Sequence, residues 1–307
     1  MMLVLIVGEV KRCKSHSPTI FSGGKHMQKT LKKYFPIFVI PTLVAFTIAF
    51  IIPFIMGVYL SFAKFTTVTN STWVGLDNYI KIFTINNDFI NALWFTVKFT
   101  IVSVITVNVI AFILAKLLTR GIKGTNLFRT IFFMPNLIGG IVLGYIWQIL
   151  INGFLLNFGV TLTFDPKYGF WGLIFLMNWQ MIGYMMVIYI AGLQNISEDL
   201  LEAASIDGAS SWQLLRKITL PLIASSITIC TFLTLSNSFK LFDQNLALTG
   251  GAPQRQTTML ALDIYDTFYG RTGYQGVGQA KAVIFFVLVG LIAYVQLRVS
   301  RSREVES

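Results

Sequence analysis

Two apolar stretches in the second half of the chain carry polar and aromatic side chains that could bind an uncharged, hydroxyl-rich molecule. In the first stretch Gln180 and Tyr184 are four residues apart, so they share one face of a helix, and Asn178 and Trp179 directly precede them. Amide and hydroxyl groups form hydrogen bonds with sugar hydroxyls, and aromatic rings pack against the apolar faces of pyranose rings. This spacing predicts a binding surface for a neutral molecule.

The second stretch places Thr234, Asn237 and Ser238 at positions i, i+3 and i+4, which share one helix face, and Thr231 extends this stripe. Polar side chains inside apolar helices are costly and usually face a cavity or another helix. Two interpretations therefore stand, a binding surface or hydrogen bonding between helices. We favour binding for Asn237 and Ser238. For a third polar group we favour packing: Thr96, Thr100 and Ser103.

The chain lacks the residue arrangements of a catalyst. Its two cysteines, Cys13 and Cys230, and its two histidines, His16 and His26, show no metal-type or nucleophile–base spacing. No GxxxxGK[ST] phosphate-binding loop is present, so the sequence predicts no ATP hydrolysis by this chain. We expect no cofactor and no metal site. The acidic and basic residues of the predicted external loops are expected to be solvated: Asp77, Asp88, Asp263, Asp266 and Arg271.

Composition indicates which class of protein carries these groups. The chain has 307 residues, of which 55% are hydrophobic and 12% are charged, and its mean hydropathy is +0.69. Soluble domains are about 45–50% apolar and about 25% charged. The charge is too low to cover a soluble globule of this size, so we expect an integral membrane protein. The net charge of +11 then reports orientation and not nucleic-acid binding.

Six stretches are long and apolar enough to cross a bilayer, which predicts an all-α fold with six transmembrane helices. They are Ile37–Leu60, Ala92–Leu117, Ile131–Ile151, Phe170–Ala191, Leu222–Phe239 and Ala282–Val299. Of the 24 Lys and Arg residues, 16 lie on one side of these stretches: before the first, after the last, in the second and fourth links, or one residue inside the end of a stretch on that side, as Lys116 and Arg298 do. The positive-inside rule therefore places both termini in the cytoplasm.

The chain divides into three regions on this interpretation. Residues 1–33 form a basic cytoplasmic tail, residues 34–300 the membrane domain, and residues 301–307 a short cytoplasmic tail. The first ten residues are apolar but too short to cross a membrane, and their charges follow the apolar run, unlike those of a secretory signal. A loose tail and a true start at Met27 are both compatible with this pattern, and we favour Met27.

The fourth link, residues 198–221, predicts two short helices joined by a turn. Ser197 is placed to cap a first helix that opens with acidic residues, and Asp207 with Gly208 ends it. Ser210 or Ser211 then caps a second helix, and Pro221 is expected to begin the next membrane helix. Such a pair, anchored at both ends to membrane helices, is a stiff lever. A simple amphipathic connector is the alternative.

This link, EAASIDGASSWQLLRKITLP, closely resembles the EAA loop of binding-protein-dependent ABC importer permeases. Leu215 stands where an aromatic residue is common, and Ser225 where a second proline often follows. The resemblance extends over about residues 34–305, through Trp73–Ile80, Phe239–Asp243, Leu248–Pro253 and Gly278–Ala282, and is strongest to the maltose-permease F-like half of the carbohydrate-uptake branch.

The resemblance implies the type I importer permease fold and a set of partners. These are a second permease subunit, two ATPase subunits that bind ATP and Mg²⁺, an external solute-binding protein, and a sugar as cargo. It implies that the loop couples the ATPases to transport through Glu202, Ala203, Ala204, Asp207, Gly208, Ala209, Leu215 and Pro221. It also implies that Tyr184, Thr234, Asn237 and Ser238 fall at or near positions that contact sugar.

Two rival functions remain open. The same permease role could serve another solute, such as glycerol phosphate, although phosphate favours a cation and the predicted stripe has none. A secondary transporter would need no ATPase, but it predicts internal repeats or carboxylates within the membrane, and neither is found.

Overall fold

The computed structural model describes residues 35–301 apart from positions 38, 68, 86 and 122. The predicted tail of residues 1–33, the proposed start at Met27 and residues 302–307 lie outside the described residues. The chain divides into two compact units between Met56 and Gly57, and the residues of the candidate site all belong to the second unit.

Helices dominate the described chain, and one short hairpin lies between the first two long helices. In chain order the elements are α1 (Phe35–Ser61), β1 (Ala63–Thr67), β2 (Asn70–Trp73), α2 (Asp77–Thr84), α3 (Asp88–Leu118), α4 (Thr125–Phe133), α5 (Gly140–Leu155), α6 (Pro166–Gln194), α7 (Glu198–Ile206), α8 (Ser211–Leu222), α9 (Ala224–Phe239), α10 (Asp243–Leu248), α11 (Leu260–Gly270) and α12 (Gln275–Arg301).

The predicted helical membrane fold is confirmed. Within residues 35–301, five helices are long and apolar enough to cross a membrane, namely α1, α3, α5 with its 3₁₀ extension to Phe158, α6 and α12. The sixth candidate is a broken pair, in which α8 meets α9 at an angle of 71°.

The structure corrects two predicted boundaries. The third span does not begin at Ile131, because α4 ends at Phe133 and a 3₁₀ turn, Met134–Leu137, separates it from α5. Pro135 cannot donate a backbone hydrogen bond, and Gly139–Gly140 weakens the helix further. Pro221 does not begin the fifth membrane helix either. It lies inside α8, and the break falls at Ile223, whose φ and ψ are −93° and 15°.

The core lies where α3, α6 and α9 pack together. Buried apolar side chains from α3 and α6, such as Phe99, Val107, Leu173 and Met185, fill the space between the helices. A smaller cluster around Ile82, Phe89, Leu260, Val277 and Ala280 joins α2, α3, α11 and α12. The site helices are therefore held by burial along their length.

Candidate functional site

One face of α6 carries two of the predicted path residues side by side. Gln180 is half-buried and accepts a hydrogen bond at 2.8 Å from Nε2 of Gln244, the second residue of α10. Tyr184, one turn further, is half-buried and packs edge-to-face on Phe133, with the ring centroids 6.3 Å apart. The Nε2 group of Gln180 donates to the Ile138 carbonyl at 3.4 Å. The end of α4, the 3₁₀ turn and α10 thus meet on this face.

Glycines bring these neighbouring elements into contact. A Cβ on Gly183 would overlap the backbone carbonyl of Phe132, so only glycine lets α4 end against α6. On α5, a Cβ at Gly140 would lie 2.8 Å from Cβ of Asp243, and one at Gly144 would lie 2.6 Å from Cβ of Ala247. These close approaches seat α10, and with it Gln244, beside α6.

The other two predicted residues of α6 point away from this face. Asn178 is buried, and its Nδ2 donates to Oγ1 of Thr106 at 2.9 Å and to the Ile174 carbonyl at 2.8 Å. Trp179 is 42% exposed and packs edge-to-face on Trp147, with centroids 5.6 Å apart. Asn178 therefore lies between α3 and α6, and Trp179 on an outer surface.

The polar stripe of α9 is divided between two environments. Thr234 and Ser238 are fully buried inside the helix bundle, whereas Asn237 is exposed. Oγ1 of Thr234 donates to the Cys230 carbonyl at 2.8 Å and accepts from Nδ2 of Asn108 at 3.4 Å. The buried Oγ of Ser238 has no hydrogen-bond partner within the described part of the chain.

Asn108 joins this group of polar residues, although its place was not predicted from the sequence. Its Oδ1 accepts from the Tyr189 hydroxyl at 2.8 Å, so one amide on α3 links α6 to α9. The available signal was an amide within an apolar span, which usually marks a helix contact or a cavity. The three residues of α3 assigned to packing, Thr96, Thr100 and Ser103, are all buried, and the hydroxyls of Thr100 and Ser103 have no hydrogen-bond partner within the described residues.

The fourth link folds as the predicted helix–turn–helix. Gly208 has φ +83° and follows α7 in a Schellman turn, in which the amide groups of Gly208 and Ala209 donate to the carbonyls of Ser205 and Ala204. Ser210 caps α8 in a reciprocal capping box with Gln213. Ser197 occupies the cap position of α7, but its side chain makes no capping bond.

The surface of this link mixes acidic and apolar side chains. Of the residues assigned to coupling, Glu202, Ala203, Asp207, Gly208 and Pro221 are exposed, and Ala204, Ala209 and Leu215 are half-buried. Two large apolar residues also face outward, Ile206 at 86% and Trp212 at 66% exposure. Neither of these two side chains was predicted from the sequence to belong to the contact surface.

A third group shows that one expectation was wrong. Asp263 is not solvated: it is 1% exposed, and its carboxylate binds Nζ of Lys281 at 2.7 Å and NH2 of Arg255 at 2.9 Å. Arg255 also binds Asp266 at 3.0 Å. A buried carboxylate requires such pairing, because burying an isolated charge is very costly. Arg255 lies in the loop eight positions before Asp263 and Lys281 lies 18 positions after it on α12, so the packing of these segments brings them together.

Comparison with known proteins identifies the family. Residues 123–303 match the family described as binding-protein-dependent transport system inner membrane component. The chain belongs to this family. It is therefore a membrane-embedded permease subunit of an ABC importer that depends on a solute-binding protein, and ATP hydrolysis lies in separate subunits. No cluster of three or more His, Cys, Asp or Glu residues that could hold a metal occurs within the described ranges.

Relatives over nearly the whole length agree with this assignment. The permease is 44% identical over 280 residues, 88% of this chain and 94% of the relative, to the probable starch degradation products transport system permease protein of Thermoanaerobacterium thermosulfurigenes. It is 30% identical over 251 residues, 76% of this chain and 82% of the relative, to the sn-glycerol-3-phosphate transport system permease protein of Escherichia coli.

A solved structure agrees in fold. A chain of a bacterial ABC transporter involved in the import of the acidic polysaccharide alginate superposes on this permease with a TM-score of 0.75 and 22% identity. The match covers 90% of this chain and 99% of that chain. The predicted importer permease fold is confirmed by this likeness.

Proposed function

We propose that this permease, paired with a second permease subunit, forms the membrane path for a neutral sugar derived from starch. The observation that carries the proposal is the uncharged face where Gln180, Gln244 and Tyr184 meet. Its amides and aromatic ring suit sugar hydroxyls and pyranose faces. The relative with 44% identity, named for starch degradation products, supports this cargo. Asn237 is exposed on α9 and offers an amide for the same cargo.

The link between α6 and α9 couples this path to the ATPase subunits. Its exposed Ile206 and Trp212 supply apolar contact area, and Glu202 supplies charge for a basic partner. Apolar side chains exposed on a compact projection favour a protein contact. The coupling residues named from the sequence lie on this projection. ATP and Mg²⁺ bind to the partner subunits in this proposal, and this chain needs no cofactor of its own.

The connectivity provides the mechanism. The membrane helix α6 carries Gln180 and Tyr184 and runs directly into α7, while α8 bends by 71° into α9, which carries Asn237. Closure of the ATPases pushes α7 and α8 as one body, because the Schellman turn and capping box hold the corner between them. The push tilts α6 and α9 and opens the path to alternate sides.

The charge distribution supports the orientation within this proposal. Both termini and the α7–α8 link lie in the cytoplasm, where the basic residues of the links concentrate. The hairpin, α2, α10 and α11 then lie on the outer side, where the solute-binding protein delivers its cargo. Residues 34–300 form the membrane domain, and a cytoplasmic tail lies at each end of it.

Glycerol phosphate is the second candidate cargo. Lys240 lies one turn beyond Asn237 and is exposed, and it forms no ion pair within the described residues. A phosphate group would favour such a cation. The relative from Escherichia coli with 30% identity is named for this cargo. The higher identity of the starch-product relative leads us to place the sugar first.

An uptake panel separates the two cargoes. The full importer, with its second permease, ATPases and solute-binding protein, is reconstituted into liposomes and supplied with maltose, maltotriose, maltotetraose or glycerol 3-phosphate. We expect saturable, ATP-dependent uptake of at least one malto-oligosaccharide and none of glycerol 3-phosphate. Uptake of glycerol 3-phosphate that is lost in Lys240→Gln would instead establish the second candidate.

A further inference from the structure

A polar pocket of about 400 Å³ lies beside the first turns of α3. One wall is the exposed face of α3, which presents Asn91, Trp94 and Lys98. The other wall is the loop between α10 and α11, with Gln254, Arg255 and Gln256. The pocket is separate from the candidate sugar face, none of whose residues lines it.

The length of α3 places this pocket at the edge of the membrane. The helix has 31 residues, so it is about 46 Å long, which exceeds the hydrocarbon thickness of about 30 Å. Between Phe89 and Ala115 its only charged residue is Lys98. Lys98 and Lys116 are separated by about 27 Å at the helical rise. The two lysines therefore bracket the hydrocarbon layer, and Lys98 lies at the depth of one row of lipid phosphates.

The same face of α3 continues as an apolar strip below Lys98. Ile101, Ile105, Val109 and Ile113 follow at helical spacing and are 51–57% exposed. Phospholipids present this order of chemistry, with a charged headgroup above and acyl chains below. The tryptophan at the pocket, Trp94, is 60% exposed, and tryptophan is enriched at the headgroup level of membrane proteins.

The charges at the pocket leave one cation in excess. Arg255 is already bound to Asp263 and Asp266, and Asp88 is bound to Arg271 at 3.0 Å. Lys98 forms no ion pair with any described carboxylate. The pocket therefore favours an anion, and Lys98 is the group that would meet it.

The loop wall is rigid before any ligand arrives. Gln254 and Arg255 have φ values of 48° and 64°, in the left-handed region that non-glycine residues rarely adopt. The buried Asn245 holds the loop by accepting from the Met259 amide at 3.0 Å and donating to the Thr257 carbonyl at 2.8 Å. Strained backbone of this kind is concentrated at ligand clamps and active sites.

We propose that this pocket binds the phosphate headgroup of an anionic phospholipid, with Lys98 as its cation and Trp94 beside the glycerol backbone. The acyl chains lie along the strip from Ile101 to Ile113. The proposal rests on the membrane level of α3 and is independent of which cargo the importer carries.

Tryptophan quenching by brominated lipid tests this site. The assembled importer is placed in phosphatidylcholine nanodiscs that contain either brominated phosphatidylglycerol or brominated phosphatidylcholine. We expect brominated phosphatidylglycerol to quench tryptophan fluorescence more strongly, and Trp94→Phe to remove the difference because it removes the reporter.

One lysine near a membrane contributes about 1 kcal/mol, so Lys98→Gln is expected to weaken phosphatidylglycerol binding about fivefold. Lys98→Arg keeps the positive charge and is expected to bind phosphatidylglycerol as the unchanged protein does.

Controls separate this site from other sources of the signal. Lys64→Gln removes an exposed lysine of β1 and is expected to leave the preference unchanged. An equal loss in Lys64→Gln and Lys98→Gln would mean general surface attraction and overturn the proposal. Displacement by inorganic phosphate would mean a site for free anions, and displacement by maltotriose would mean a sugar subsite. Either result also overturns it.

Discussion

Gln244 donates a hydrogen bond from its Nε2 to Oε1 of Gln180 at 2.8 Å, across 64 positions of the sequence. The bond fixes α10, which follows α9, to α6. This helix leads into residues 198–221, which we call the coupling link after its proposed role. Because α10 also packs closely on α5 through Gly140 and Gly144, the helices α5, α6 and α10 meet around this hydrogen bond. Any tilt of α6 during transport must break this bond or carry α10 with it.

A double-mutant cycle measures this link. We expect Gln180→Leu and Gln244→Leu each to lower the free energy of unfolding by about 1 kcal/mol, because each leaves an amide without its partner. The double variant is expected to lose less than the sum, since both changes remove the same bond. The measurement is detergent-induced unfolding of the purified chain, and additive losses would show that the bond contributes nothing.

The division of the α9 stripe predicts different results for neighbouring residues. Asn237→Ala is expected to lower sugar uptake severalfold while leaving stability and binding of the ATPases unchanged, because Asn237 is exposed. Thr234→Val is expected to lower thermal stability, because it removes the acceptor for Asn108. Uptake in liposomes and unfolding temperature are compared for both variants. Unchanged uptake of several sugars by Asn237→Ala would assign this residue to packing.

The contact of Gly183 with the Phe132 carbonyl predicts a severe packing defect. Gly183→Ala is expected to destabilise the permease by about 3 kcal/mol, since backbone moves less readily than a side chain. Gly153→Ala is the matched control, because a Cβ at that position of α5 would stand in open space. Thermal unfolding followed by size-exclusion chromatography distinguishes the two. Equal unfolding temperatures would contradict the close approach of α4 to α6.

The buried ion pair of Asp263 and Lys281 predicts a large effect from a single substitution. Lys281→Met is expected to cost about 3–5 kcal/mol, because it leaves a buried carboxylate without one of its two cations. Lys81→Met is the control. It removes an exposed i, i+4 pair with Asp77, which is worth at most about 0.5 kcal/mol. Similar unfolding free energies for the two variants would show that Asp263 does not depend on Lys281.

The corner of the coupling link predicts uncoupling of ATP hydrolysis from transport. Glu202→Lys reverses an exposed charge, and Gly208→Val forces a β-branched residue to φ +83°. Both variants are expected to insert into the membrane and assemble, but to transport little sugar per ATP hydrolysed. Glu198→Lys is the control, because it reverses an exposed charge at the first residue of α7 that is not among the residues assigned to coupling. Normal uptake by both Glu202→Lys and Gly208→Val would remove the coupling assignment.

The helix–turn–helix of the link was predictable because its signals are local. Gly208 at the C′ position, the Ser210 cap of α8 and the acidic residues in the first turn of α7 act within a few positions of the chain. The break between α8 and α9 was misplaced by two residues. Pro221 disfavours an ideal helix but does not specify where the backbone turns, and packing decided that point at Ile223.

The candidate path was only partly predictable. Helical spacing correctly grouped Gln180 with Tyr184, because both turns belong to one continuous helix. It could not separate Asn237 from Ser238, whose Cβ atoms lie only about 100° apart around the helix axis. The packing of α9 against its neighbouring helices decides which of the two is buried, and that packing depends on contacts between distant segments.

Composition and local spacing alone determined that this chain is a helical membrane protein with a helix–turn–helix between α6 and α9. Low charge density and apolar runs of about 20 residues favour the bilayer over water, and this preference does not depend on which helices lie beside each run. The tertiary structure alone decided that Asn108 joins α3, α6 and α9, that Gln244 meets Gln180, and that Asp263 is buried with Arg255 and Lys281. Each of these pairs polar groups from separate segments of the chain, and the cost of burying such groups unpaired fixes the partners only once the helices have packed.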